Sequence, residues 1–264
     1  MPFISASAIS PYNSIRGGAS GEVVDPILAF NPYNVWDSEH VIIDGTETTF
    51  TDFNNVGTTY DLVNPAATNQ PTYTATDSDF NNLPSFAFDG IDDYMLGSAS
   101  NWRSSDIKGA FISVYRLIGN TRLAPLVALS STSLNYINWT VILSSTFRST
   151  NVTTGGNASY RGSTNIQTSS QSFVIANVSD GSNYKMWVNN DLETITMVTG
   201  VDDGSIWFNS DSSGFDRISI GALARASTAP IVTNIKWAFS GYFPYTSDSQ
   251  IEDIMAFLIT KYGL

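Results

Sequence analysis

Along most of the chain apolar and polar positions alternate with a period of two, the signature of half-buried strands. Phe86 and Phe88 alternate with small residues, and Trp139, Val141 and Leu143 alternate with Thr140, Ile142 and Ser144. Tyr184, Met186 and Val188 alternate with Lys185 and Trp187, and Ile195 and Met197 are read as their return strand. Ile235, Trp237 and Phe239 alternate with Lys236, Ala238 and Ser240. Near-continuous apolar runs at Ala110–Ile118, between Gly109 and Gly119, at Leu126–Leu129 and at Phe173–Val178 have the length of strands. Residues Ser145–Gln171 are polar and glycine-containing and predict hairpin loops or an exposed insertion.

The period changes once. Ile251, Ile254, Met255, Leu258 and Tyr262 recur at helical spacing, Ser247 and Gln250 can form a capping box, and Gly263 stops the run. About a dozen strands, one terminal helix and no repeat predict a single β-sandwich. Residues 1–28 show neither period and are broken by Pro2, Pro11, Pro26, Gly17, Gly18 and Gly21. They are expected to form an arm along the domain or a neighbouring subunit, with the sandwich over residues 29–264.

The sharpest local signal is Leu83-Pro84-Ser85-Phe86-Ala87-Phe88-Asp89-Gly90-Ile91-Asp92-Asp93-Tyr94-Met95. Asp-Gly is a reversal signal, so the stretch predicts a β-hairpin. It also resembles the signature hairpin of concanavalin A-like lectin/glucanase (laminin G-like) domains. The likeness continues in Trp36-Asp37, in Pro71-Thr72-Tyr73 ahead of the hairpin and in Tyr184–Asp191. It is seen again in Ile218-Ser219-Ile220-Gly221 and in a terminal helix ending Lys261-Tyr262-Gly263. The resemblance implies an all-β, concanavalin A-like jelly roll with a short C-terminal helix, of the kind found in phage structural and adhesion proteins. Trp36 is read as a core residue.

Composition narrows the chemistry. There are 264 residues and no cysteine, which excludes disulfides, thiol catalysis and thiolate metal sites. Net charge is −12, from 24 acidic and 12 basic residues, so a phosphate backbone would be repelled as a partner. No apolar run reaches the ~18 residues of a membrane span. Met1-Pro2-Phe3 leads into polar sequence, which predicts no secretory leader. The Asn138, Asn151, Asn157 and Asn177 sequons then read as chance.

Glucanases of this fold carry a Glu-x-Asp-x-x-Glu strand. The five glutamates, Glu22, Glu39, Glu47, Glu193 and Glu252, do not supply it. His40, the one histidine, sits in Ser38-Glu39-His40 beside a turn and reads as an exposed or hydrogen-bonded residue rather than a triad base, and a single imidazole cannot make a histidine metal cluster. Asp89, Asp92 and Asp93 crowd one turn, and Asp202 and Asp203 precede Gly204 with Asp211 nearby. Both groups read first as turn chemistry and second as Ca²⁺ ligands. Aromatic faces beside Asn and Asp suit sugars, which makes Trp102, Tyr136, Tyr160 and Trp207 (with Phe208) candidate platforms, each also readable as a loop anchor.

The expectation is a non-enzymatic lectin-like domain at a virion surface, made in a host cytoplasm. It would be held to neighbouring subunits by its arm in a homo-oligomer or larger assembly, and would contact host glycans. The alternatives are a bacterial extracellular carbohydrate-binding module or adhesin, and a polysaccharide hydrolase.

Overall fold

The computed structural model describes residues 25–54, 56–118, 126–129, 135–143, 146–165, 170–211, 215–224 and 230–264. Residues 1–24 of the expected arm lie outside these. Its last part is a 3-10 helix, Pro26–Phe30, capped by Asp25, whose Oδ1 accepts from Ile27 N.

The chain forms an all-β sandwich with one C-terminal helix. The eight-stranded sheet runs, edge to edge, Asp191–Leu192, Tyr184–Val188, Ser172–Ser179, Gly109–Leu117, Asn234–Phe243, Leu83–Asp89 and Thr72–Asp77, and Asn34–Asp37 also pairs with Asn234–Phe243. The ten-stranded sheet runs Thr196–Thr199, Gly156–Asn165, Thr146–Thr153, Tyr136–Leu143, Leu126–Leu129, Phe215–Ile220, Met95–Trp102, Leu62–Val63, Glu47–Phe50 and Val41–Asp44. The pairings within both sheets are antiparallel.

Strand alternation sorts side chains into two cores. Phe111, Tyr115 and Leu117 of the central strand face the ten-stranded sheet, while Ala110, Ile112 and Val114 face the helix Asp248–Tyr262. The central strands Gly109–Leu117 and Ser172–Ser179 are therefore covered on both faces, which is why they carry near-continuous apolar runs. Between the sheets Phe50 stacks on Trp237 at 4.5 Å, and Trp36, Phe86 and Phe88 are fully buried. Each such side chain contributes ~1.5–3 kcal/mol of transfer free energy.

The helix buries Ile251, Ile254, Met255, Leu258 and Tyr262. Ser247 Oγ accepts from Gln250 N, as the capping reading expects, but Gln250 Oε1 reaches back to Thr246 N rather than to the cap residue's own N–H. Gly263, at φ +68, closes the C-terminus.

Three local expectations change. The Asp89-Gly90 reversal does not close a hairpin: Leu83–Asp89 lies in the eight-stranded sheet and Met95–Trp102 in the other, so the chain arches between layers. Ile195 and Met197 do not return against Tyr184–Val188. That strand pairs with Ser172–Ser179 on one side and, after the left-handed Asn189-Asn190 turn, with Asp191–Leu192 on the other, and Thr196–Thr199 joins Gly156–Asn165 across the sandwich. Residues 146–165 are two long paired strands, not loops. Their inward positions include Ser149, Asn151 and Thr153 beside Phe147, so burial alternates although hydrophobicity hardly does.

Candidate functional site

A cleft of about 170 Å³ opens where the loop after Glu47–Phe50 meets the turn after Met95–Trp102. Tyr33, Asn34, Gly57, Thr58, Tyr60, Trp102 and Arg103 line it. Asp52 builds one wall. Its buried carboxylate accepts from Val35 N, Tyr60 N, Asn54 Nδ2 and, at 2.6 Å, Asn34 Nδ2, fixing the loop onto strand Asn34–Asp37. Burial pushes the Asp52 pKa up, and these donors pull it partly back.

Asn34 ties the walls together: its Nδ2 also donates to Thr58 O, and its Oδ1 accepts from Trp102 Nε1 at 2.9 Å. Arg103 forms the other wall. Its guanidinium lies 3.6 Å over the Tyr33 ring and donates through Nε and Nη2 to the two carboxylate oxygens of Asp106. Tyr242 Oη, held in the core, donates to Asp106 Oδ2 as well. Arg103 sits at φ +57, a left-handed backbone that costs a non-glycine residue about 1 kcal/mol or more and that clusters at functional positions. The cleft thus offers tyrosine rings, an oriented guanidinium and peptide carbonyls, with no Asp or Glu in its lining.

The acidic turn is a second arrangement. Asp89 Oδ1 accepts from Ile91, Asp92 and Asp93 N, and Asp93 Oδ2 accepts from Asp89 N. Gly90, at φ +76, packs against Asn234, so a Cβ there would come within 2.9 Å of the Asn234 Cβ. Carboxylate oxygens of Asp89, Asp92 and Asp93 lie within 4.8 Å of one another and could hold a cation. Burial first, and the neighbouring Asp89 and Asp92 charges next, raise Asp93 to about 6. Its N–H donors hold Asp89 below the usual range, against its slight burial.

Asp202 and Asp203 form no such group among the described residues. Asp202 accepts from Tyr184 N, Asp203 from Ser205 N, and Asp211 is buried against Asn135. Asp25, Asp37 and His40 do converge, within 4.8 Å, but Lys261 already supplies a cation there. Its Nζ is 2.7 Å from Glu39 Oε2 and 3.2 Å from Asp37 Oδ2, and His40 Nδ1 is 2.7 Å from Asp37 Oδ1.

The aromatic candidates divide. Trp102, Tyr160 and Trp207 are at most 1% exposed and present no face to a ligand. Trp102 packs edge-on to Phe208, Tyr160 stacks on Tyr184, and Trp207 packs beside Phe111. For Trp102 and Tyr160 the polar neighbours in sequence point to the opposite face of the strand, and Trp207 caps the 3-10 turn Phe208–Ser210 with its ring turned into the core, so buried rings looked exposed. Tyr136 alone is partly open, on the outer face of the ten-stranded sheet. Arg103, Tyr33 and Tyr60 were not anticipated; their one trace in the sequence is an arginine directly after a tryptophan.

No protein-family model matches the chain, and no curated protein matches it in sequence. Among solved structures it is similar to the botulinum neurotoxin serotype D/C binding domain, at 12% identity and TM-score 0.55 over 88% of this chain and 53% of that one. It is similar to Trypanosoma rangeli sialidase in complex with a difluoro-KDN ligand, at 10% identity and TM-score 0.54 over 98% of this chain and 36% of that one. It is also similar to the botulinum neurotoxin serotype D ligand binding domain in complex with N-acetylneuraminic acid, at 9% identity and TM-score 0.51, covering 88% and 52%. The chain spans between about a third and a half of these structures' lengths. What it shares with them is the β-sandwich fold.

Proposed function

We propose that this chain is a non-catalytic, concanavalin A-like carbohydrate-binding domain whose cleft beside Arg103 takes a sugar. The observation that carries the reading is the cleft's lining, where the Arg103 guanidinium, held by Asp106 and the Tyr33 ring, stands beside the half-buried Tyr60: a donor for sugar hydroxyls next to an aromatic side chain for the apolar face of a pyranose. Fold likeness to structures solved with N-acetylneuraminic acid and a KDN derivative supports the choice of ligand class. Glycoside hydrolysis needs two carboxyl groups flanking the bond. Asp52 and Asp106 stand behind the lining, each saturated by the donors that hold the walls.

The test is a glycan array probed with the full chain and with Arg103→Gln. Retained binding by wild type and a loss of about tenfold in the variant support the cleft. New reducing ends released from any bound polymer would overturn the non-catalytic reading. As setting we propose a phage particle surface, on the sequence resemblance, with the N-terminal arm toward neighbouring subunits. An exported bacterial module or adhesin would use the same cleft. Electron microscopy of the purified chain distinguishes a symmetric assembly from a free domain. Ca²⁺ at Asp89, Asp92 and Asp93 is a further part of the proposal, tested by a calcium-dependent rise in thermal midpoint that Asp92→Asn removes.

A further inference from the structure

The described cations of this acidic chain fall into two sets. Arg103, Arg116, Lys185, Lys236 and Lys261 each lie within 4.0 Å of an Asp or Glu oxygen, and Lys108 lies over the Tyr245 ring. Arg148, Arg161 and Arg217 have no acidic partner among the described residues, although acids outnumber bases 24 to 12.

All three project from the outer face of the ten-stranded sheet. Residues facing each other across an antiparallel pair share a face. Arg148 is directly opposite Arg161, and four residues along its strand Val152 is opposite Tyr136 on one side and Asn157 on the other. Tyr136 is in turn opposite Leu129, and Leu129 opposite Arg217. The inward neighbours in these rows, Ile137 and Ile218, are in the core, which fixes the arginines outward. Arg148 is oriented: its Nε donates to Ser159 Oγ at 2.6 Å, and Thr150 Oγ1 shares that hydroxyl, leaving the guanidinium's outer N–H groups directed away from the strand.

The eight-stranded sheet shows what such a pair does when its counter-charge belongs to the chain. Arg116 and Lys236 are also directly opposite. Asp79 bridges them, at 3.2 and 2.7 Å, and Asp77 reaches Lys236 at 3.0 Å. Like charges directly opposite are otherwise destabilising. Among the described residues no acid bridges the Arg148–Arg161 pair, which keeps that repulsion.

We propose that the outer face of the ten-stranded sheet binds an acidic glycan, with the Arg148–Arg161 pair receiving a carboxylate or sulfate of the chain. Guanidinium forks recognise such planar or trigonal oxyanions bidentately. Asn157, exposed, and Thr196, directly opposite Arg161, add an amide and a hydroxyl suited to sugar hydroxyls, while Ser163 Oγ is already engaged with Glu193 Oε2 and Thr194 N. Tyr136 and Arg217 lie two strands apart, about 10 Å at the usual strand spacing, so the face suits a polymer crossing the strands. A nucleic acid is disfavoured because the net charge of −12 opposes a uniform phosphate backbone beyond this patch. The choice of a glycan rests on the carbohydrate-binding reading; the oxyanion site rests on the arginines alone.

The test is calorimetric titration of the full chain with polysialic acid, heparin, dextran and duplex DNA at about 50 mM salt, low enough to limit screening. Wild type, Arg148→Gln/Arg161→Gln and Arg148→Lys/Arg161→Lys are compared, each shown folded by circular dichroism. Binding of polysialic acid or heparin, lowered about tenfold or more in the glutamine variant and only partly restored by lysine, supports the proposal; which polymer binds tells carboxylate from sulfate. Binding of dextran alone overturns it while leaving the carbohydrate-binding reading intact. Equal binding of DNA overturns it in favour of a general polyanion surface. Binding unchanged in the glutamine variant overturns the site, and no binding of any saccharide overturns both readings.

Discussion

Two pairs of cations hold the same place in two sheets and meet opposite fates. Arg116 and Lys236 face each other across the eight-stranded sheet with Asp79 between them; Arg148 and Arg161 face each other across the ten-stranded sheet with none among the described residues. The first pair is satisfied by the chain's own acids, and the second is the one the proposed oxyanion would satisfy. The difference follows from the layers. One sheet is covered on both faces, so its few charges must be satisfied locally. The other has water, or a ligand, on its outer side.

The strongest probe of the satisfied half is Lys261→Met. Lys261 ties the end of the helix to Asp37 and Glu39, and the Asp37 side chain is fully buried. Removing the cation leaves the buried Asp37 carboxylate with only the His40 ring and backbone N–H groups as partners, and a loss of about 3 kcal/mol is expected in urea unfolding. A loss near zero would mean that the tie is solvated and that the two halves are not so different.

Asp79→Asn removes the acid that bridges the first pair and leaves Arg116 without its carboxylate while Asp77 stays on Lys236, a step toward the second pair. Asp79 is partly exposed, so the expected cost is about 1 kcal/mol, and added sulfate should restore part of it by supplying the missing oxyanion. Indifference to sulfate would remove the argument that such a pair seeks an anion.

A pH series separates the titrating groups. Burial alone would lower the His40 pKa, but its hydrogen bond to Asp37 and the Asp37 charge raise it. A raised folded pKa means that the stability linked to His40 is full below its ordinary value, near 6.5, and is lost as pH rises through the raised value. Asp93, raised to about 6, has the same sign but an earlier window, from 3.8 upward to about 6. Asp37 has the opposite sign. Lys261 and His40 outweigh its burial and lower its pKa, so its contribution is present above 3.8 and lost only in stronger acid. His40→Gln should flatten the decline above about pH 6.5, and Asp93→Asn the decline below about pH 6. Exchanged effects would show the two windows misassigned.

How much of this was legible in the sequence depended on where hydrophobicity tracks burial. Gly109–Leu117, Ser172–Ser179, Asn234–Phe243 and the capped helix were readable because their buried positions are apolar. Thr146–Asn165 was not, since Ser149, Asn151 and Thr153 occupy buried positions. Asp89-Gly90 announced a reversal but not the sheet that received the next strand, because turn chemistry is local and sheet membership is not. The cleft needed Asn34, Asp52 and Arg103 brought together from separate segments. The arginine face needed register. Arg148 and Arg161 are separated by a strand turn whose length nothing in their own neighbourhoods specifies.

The smallest expected effect is the most informative. Arg161→Gln removes an exposed side chain with no partner among the described residues, so ordinary surface reasoning predicts a change within about 0.5 kcal/mol of either sign. Register makes the sign specific. Arg161 faces Arg148 across the pair, and relieving that repulsion should stabilise the fold by a few tenths of a kcal/mol. The gain should shrink as salt screens the two guanidinium groups, while binding of an acidic glycan falls in the same variant. A chain that is slightly more stable without an arginine it needs for binding has spent stability on function. If Arg161→Gln instead destabilises the fold, and salt does not alter the difference, the arginine is a structural member of the sheet and the face has no unmet demand for an anion.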